Sequence, residues 1–168
     1  MLDWIGDRIG ARPDPAGAGA GPGASGLLGS TRIATPLGWC QAADLAPGDR
    51  AITFDSGVRR LRAVARRLMP RFCNPAEPLL LLPAGLVGNS GPLLVSPGQG
   101  VMVESDLAEA TWGDPFALLP AAALRALPGV TEVLPDAPVV LARLAFEDDE
   151  IVFAEGQALV HCTGGCTR

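Results

Sequence analysis

Long uninterrupted helices are hard to build from a chain punctuated this often. Its 168 residues include 21 glycines and 16 prolines, with aromatic residues at only 5%. Proline removes a backbone donor and clashes with the preceding helical turn, while glycine raises the entropy cost of order. A helical bundle is therefore excluded as the fold class. Hydrophobic residues nonetheless make up 48% and charged residues 18%, so the chain has enough apolar surface to form a core. At this length that core belongs to one domain with room for a tail. Short strands joined by tight turns are the architecture that fits, and the expectation is an all-β fold with at most one or two short helices.

Charge narrows the functional classes. The formal net charge is −5, so no global positive field exists to hold nucleic acid or an anionic membrane surface. All 13 basic residues are arginine, because the sequence contains no lysine. Arg59, Arg60, Arg62, Arg66, Arg67 and Arg71 cluster locally. A single-strand-binding stripe would interleave aromatics for stacking, and here only Phe72 is near, so a solvated sheet face is the expectation. Cys40, Cys73, Cys162 and Cys166 are too few and too scattered for a disulfide scaffold. A reducing, cytoplasmic location follows from that reading.

The ends differ in composition from the middle. Residues 1–12 place Leu2, Ile5 and Ile9 at helical spacing, but Asp3, Asp7 and Arg8 interrupt the apolar run a secretory signal needs. Trp4 adds to this short amphipathic segment. Residues 13–26, PDPAGAGAGPGASG, carry too little side chain to offset backbone ordering and are expected to be a flexible linker. No stretch of about 18 apolar residues occurs, so no membrane span is expected. The folded domain is expected over 27–160 and a cysteine-containing tail over 161–168. In that tail His161, Cys162 and Cys166 carry soft ligand atoms at close spacing, and a tetrahedral zinc site would need Cys40 or Cys73 as a fourth ligand.

Between the ends the sequence predicts short strands. Residues 32–35 and the turn at Pro36 to Gly38 predict a tight hairpin returning through Trp39 and Cys40. A second hairpin is predicted from 50–54, through Asp55, Ser56 and Gly57, to 58–66. Leu79 to Leu82 and Leu93 to Val95 are continuous apolar runs suited to buried strands. Residues 115–127, with the run Ala121, Ala122, Ala123 and Leu124 inside, form the best helix candidate. Residues 139–146 and 151–153 predict a closing hairpin across a solvated acidic turn, Glu147 to Glu150.

Three landmarks then stand in a fixed order. The first is Gly29-Ser30-Thr31-Arg32-Ile33-Ala34-Thr35-Pro36 with Asp44-Leu45-Ala46-Pro47-Gly48-Asp49; the second is Leu94-Val95-Ser96-Pro97. The third is Phe146 with Glu150-Ile151-Val152-Phe153-Ala154-Glu155-Gly156. Together they resemble the bacterial Hint family, the Hedgehog/intein-type autoprocessing domains, over about 26–156. The resemblance implies a Hint-like fold of bent antiparallel strands. It also implies a chemistry in which a Cys or Ser at the first position of the domain attacks the preceding peptide carbonyl. A histidine in a Ser/Thr-Pro-x-His block polarises and protonates that amide.

Carried onto this sequence, the resemblance puts Gly26 at the nucleophile position, Gln99 at the histidine of the Ser96-Pro97-Gly98-Gln99 block, and Asp149 at a further histidine position. Glycine supplies no nucleophile, and an amide cannot deliver a proton at neutral pH. Ser25, one residue ahead, is the substitute nucleophile the sequence offers for an N-to-O acyl shift. The expectation is an inactive autoprocessing domain that serves as a scaffold or interaction module for a protein partner. The alternatives are weak self-cleavage near Ser25 and metal binding by the C-terminal His/Cys cluster. No cofactor is expected.

Overall fold

The computed structural model describes residues 25–69, 78–106, 109–110 and 113–164. The amphipathic segment, the linker up to residue 24, Arg71, Cys73 and Cys166 lie outside the described residues. Among the described residues the regular structure is fourteen strands and two 3-10 turns, with helical residues at Asp106, Glu109 and Ala110, and no helix is long and apolar enough to cross a membrane. The all-β expectation holds, with every pairing between strands antiparallel.

The chain opens in β1 (Leu27–Leu28), then forms the hairpin of β2 (Arg32–Thr35) and β3 (Gly38–Gln41). A 3-10 turn, Ala42–Asp44, leads to β4 (Arg50–Thr53) and β5 (Gly57–Arg60). Next come β6 (Ala63–Met69), β7 (Leu79–Leu82), β8 (Leu93–Val95), β9 (Gly100–Glu104) and β10 (Phe116–Pro120). The second 3-10 turn, Ala121–Leu124, precedes β11 (Thr131–Val133), β12 (Val139–Ala145), β13 (Glu150–Ala154) and β14 (Ala158–Cys162). A six-stranded sheet runs β11-β7-β8-β1-β12-β6, and an eight-stranded sheet runs β10-β9-β14-β13-β2-β3 with β4 and β5 attached through β13.

The two sheets share one core. Ile33, Leu80, Leu82, Leu93, Val95, Val101, Leu144, Phe146 and Val152 are all buried in it, and they come from both sheets. Burying each such side chain contributes about 1.5–3 kcal/mol before the entropy of ordering is counted. The chain passes from the six-stranded sheet to the other at Gly29, where the strand must bend. The Gly29 N–H donates to the Val140 carbonyl at 2.7 Å, and a Cβ on Gly29 would stand 2.9 Å from the Ala43 Cβ. That close approach is the physical reason for the glycine in the first landmark. The Asp49 carboxylate accepts from the Ala46 N–H at 2.9 Å and closes the turn of the same landmark.

Several expectations change. The second predicted hairpin does form, with β4 pairing β5, but the run 58–66 is divided between β5 and β6, which lie in different sheets. The helix expected over 115–127 is a strand followed by a 3-10 turn. Leu118 and Leu119 pair with Met102 and Val101, and those cross-strand contacts outweigh the helix propensity of a short alanine run. The segments at 139–146 and 151–153 do not pair with each other. β12 pairs β1 and β6, whereas β13 pairs β14, β2 and β4, because the acidic turn carries the chain from one sheet to the other. Glu150 is not solvated: it is buried, and its carboxylate meets the Arg59 guanidinium at 3.2 Å. Finally, β14 continues through His161 and Cys162, both buried, so the segment expected as a tail from 161 begins inside a strand.

Candidate functional site

The second landmark forms a tight turn between β8 and β9. The Gln99 N–H donates to the Ser96 carbonyl at 3.0 Å, and both residues are buried. The second 3-10 turn seats against it, with the Ala121 N–H donating to the Gln99 carbonyl at 2.8 Å and the Ala122 N–H to the Pro97 carbonyl at 2.9 Å. Held rigidly on that side, the Ser96–Gln99 turn reaches two distant parts of the chain on the other. The Ser96 N–H donates to the Gly26 carbonyl at 3.0 Å. The Gln99 Nε2 donates to the His161 carbonyl at 2.8 Å and to the Gly100 carbonyl at 3.0 Å. One four-residue turn thus clasps the start of the first strand to the end of the last.

Close packing at this junction needs small residues. A Cβ on Gly100 would lie 2.9 Å from the His161 Cβ, nearer than real side chains approach. Gly26 is different: although buried, its Cβ would meet nothing nearer than the Leu141 Cβ at 3.5 Å, an ordinary contact. Position 26 has room for a side chain that the sequence does not supply. Ser25 beside it is half-buried, and its hydroxyl makes no hydrogen bond among the described residues.

His161 stands in the next layer. Its Nε2 lies 3.5 Å from Asp149 Oδ2 and makes no closer polar contact. The other carboxylate oxygen of Asp149 accepts the Gly164 N–H, and the Phe146 N–H donates to the Thr163 carbonyl at 3.3 Å. Asp149 therefore joins the chain leaving β14 to the chain entering β13. The structure brings Gly26, Ser96, Gln99, His161 and Asp149 into one connected region. The sequence reading ended the domain at residue 160 and put His161 in the tail because the last family landmark stops at Gly156; the apolar run Ala158, Leu159, Val160 leading into the histidine was the available strand signal.

The two described thiols, Cys40 and Cys162, are poor nucleophiles and poor ligands in their protonated form. Burial, with a smaller contribution from the charge of Glu150, pushes the Cys162 thiol up to about 12. The Cys40 thiol is also raised, first by desolvation and then by the charges of Asp44 and Asp49. Both are protonated at neutral pH, and metals and electrophiles take the thiolate. His161 and Cys162 are also neighbours on one strand, so their side chains leave opposite faces of the sheet. Cys166, the third member of the expected cluster, lies outside the described residues, and among the described residues no group of three His, Cys, Asp or Glu side chains could hold a metal ion.

The profile of the Hint domain family matches residues 26–159. The chain belongs to the Hint domain family. Solved structures agree in fold. An intein-like domain from Clostridium thermocellum is 15% identical with a TM-score of 0.57, over 81% of this chain and 97% of that one. A splice-inactive variant of the AceL NrdHF class 3 split intein is 12% identical with a TM-score of 0.54, over 83% and 98%. The Msm DnaB1 intein splicing domain, solved with zinc, is 19% identical with a TM-score of 0.52, over 82% and 99%. No curated protein matches the sequence. At these identities the likeness is one of fold, and the activity of this Hint domain has to be argued from its own residues.

Proposed function

We propose that this Hint domain has lost self-cleavage and serves as a scaffold or interaction module. The observation that carries the reading is the state of Gln99. A side-chain amide has two N–H donors, and the nitrogen of Gln99 is bound to two backbone carbonyls, those of Gly100 and His161. It has no remaining donor to polarise the peptide bond ahead of residue 26, and it carries no titratable proton. Position 26 is glycine, so no side chain there can take up an acyl group. Among the described residues no base makes a hydrogen bond to Ser25, and a serine hydroxyl without one is a weak nucleophile at neutral pH. Asp149 accepts from a backbone N–H and faces the His161 ring, a structural use of a position where the family resemblance expects a histidine.

The test is the mass of the full-length protein after prolonged incubation with a thiol and, separately, with hydroxylamine. The expected outcome is an unchanged mass under both conditions. Loss of the first 24 or 25 residues would overturn the proposal and establish cleavage before Ser25 or Gly26.

A further inference from the structure

Among the described residues β3, β5, β6, β10 and β11 stand at the edges of the two sheets. An open edge pairs with other chains unless charge or proline blunts it. β5 carries Arg59 and Arg60, β6 carries Arg66 and Arg67, β10 ends in Pro120, and the short β11 carries Glu132. β3, Gly38-Trp39-Cys40-Gln41, carries neither charge nor proline. Its free side follows from the ladder it shares with β2. The Ala42 N–H donates to the Thr31 carbonyl at 2.8 Å, and Gln41, Cys40 and Trp39 then face Arg32, Ile33 and Ala34 in turn. Bonded and non-bonded pairs alternate in an antiparallel ladder, so the backbone N–H and C=O groups of Trp39 and Gln41 point away from β2.

The surface beside that edge holds matched halves. Leu37, at the tip of the β2–β3 hairpin, is fully exposed, and Trp39 is half exposed. Next to them lies a cleft of about 500 Å³, lined by Leu37, Trp39, Leu45, Asp49 and Arg50. Asp49 and Arg50 are both exposed, carry opposite charge and make no ion pair among the described residues. One Asp49 carboxylate oxygen accepts the Ala46 N–H, and the other has no hydrogen bond among those residues. An apolar knob, a cleft, a carboxylate and a guanidinium in one patch are what a two-fold interface requires, since each copy must supply both members of every contact. A partner of a single charge would instead be repelled by Asp49 or by Arg50. β3 is also suited to meet itself, because an uncharged strand sets no like charges opposite one another in self-pairing.

We infer that β3 pairs antiparallel with the β3 of a second copy of this chain across a two-fold axis. Centring the axis on Cys40 uses every outward group, with Trp39 of each copy exchanging both backbone hydrogen bonds with Gln41 of the other. Counting outward in that register brings Leu37 level with Ala43. Each hairpin tip therefore runs past the end of the other β3, toward the turn that carries Leu45, Asp49 and Arg50. Leu37 enters the cleft of the other copy, Asp49 faces Arg50 across the axis, and the two eight-stranded sheets become continuous. The pairing uses none of Gly26, Gln99 and His161, so it stands whether or not the domain cleaves itself.

The experiment is sedimentation equilibrium of the full-length chain over a series of concentrations, with far-UV circular dichroism of each variant to confirm that the sheets are intact. The mass is expected to rise with concentration from that of one chain to that of two. Gln41→Pro is the sharpest variant. Gln41 has a φ of −64°, which proline adopts, and its N–H points away from β2, so the hairpin keeps its ladder while the interface loses one donor from each copy. Dimerisation is expected to weaken about tenfold or more. Leu37→Asp is expected to do the same, and Arg50→Glu, which sets a carboxylate against Asp49, to weaken it about threefold. Leu68→Asp, exposed on the β6 edge of the other sheet, is expected to leave it unchanged. A single-chain mass at every concentration overturns the inference, as does dimerisation that Gln41→Pro leaves intact or that Leu68→Asp abolishes. Growth beyond two chains also overturns it, because a two-fold contact closes at the dimer.

Discussion

Gln99 shows most directly how one buried side-chain amide can join the two ends of a fold. Its amide donates to two buried carbonyls, so Gln99→Leu removes that donor from both at the junction of the first and last strands. The expected loss is about 1–3 kcal/mol, read as a lower denaturation midpoint with little change in slope. Position 26 offers the converse experiment, because a side chain fits there without a clash. Gly26→Cys alone is expected to stay intact with added thiol, since no acid stands ready to protonate the amide. Gly26→Cys combined with Gln99→His is expected to release the N-terminal residues on thiol addition, measured by mass spectrometry. Cleavage by the single variant would show that the acid is not the missing part.

Cys162 gives a clean pH dependence. The sequence has no lysine and no tyrosine, so between pH 9 and 12 the thiols are the side chains that titrate. An unfolded Cys162 releases its proton near the ordinary 9.0, while the native one holds it to about 12. Over that interval the unfolded state binds fewer protons, so stability falls as pH rises, by up to about 1.4 kcal/mol per pH unit, and this contribution is level below pH 9. Denaturation midpoints measured from pH 8 to 11 should fall more steeply for the natural protein than for Cys162→Ala. Equal slopes would mean that the thiol is not held in its neutral form.

At the scale of elements, the departures from expectation share one cause: strands choose partners that are distant in sequence. β12 and β13 are separated by a short acidic turn and still enter different sheets, and Glu150 is buried as a result. Its partner Arg59 is half exposed, which screens the pair and limits its value. Arg59→Ala leaves a buried carboxylate without its cation and is expected to cost about 1–2 kcal/mol in chemical denaturation. An effect near zero would show that water replaces the guanidinium. Loop chemistry was equally hidden. The Asn89 side chain donates to the carbonyls of Leu82, Pro83 and Gly91 and accepts from the Val87 N–H, organising the connection from β7 to β8. No spacing rule singles out that asparagine.

For the whole molecule, the sequence by itself determined the class and the family. Frequent glycine and proline exclude long helices, short apolar runs provide strands, and three ordered landmarks resemble the Hint domains whose family profile the chain matches. The residue types at 26 and 99 were also legible, because a missing side chain or a missing titratable proton is a property of composition. What only the tertiary structure decided is which groups meet. The Ser96 turn joins Gly26 to His161, Asp149 faces the His161 ring, and β14 extends through what had read as a tail. Side-chain alternation and turn chemistry are local and can be read along the chain. Pairing between the two ends depends on free energy gained only when both sheets close over one core, and no local pattern encodes that sum.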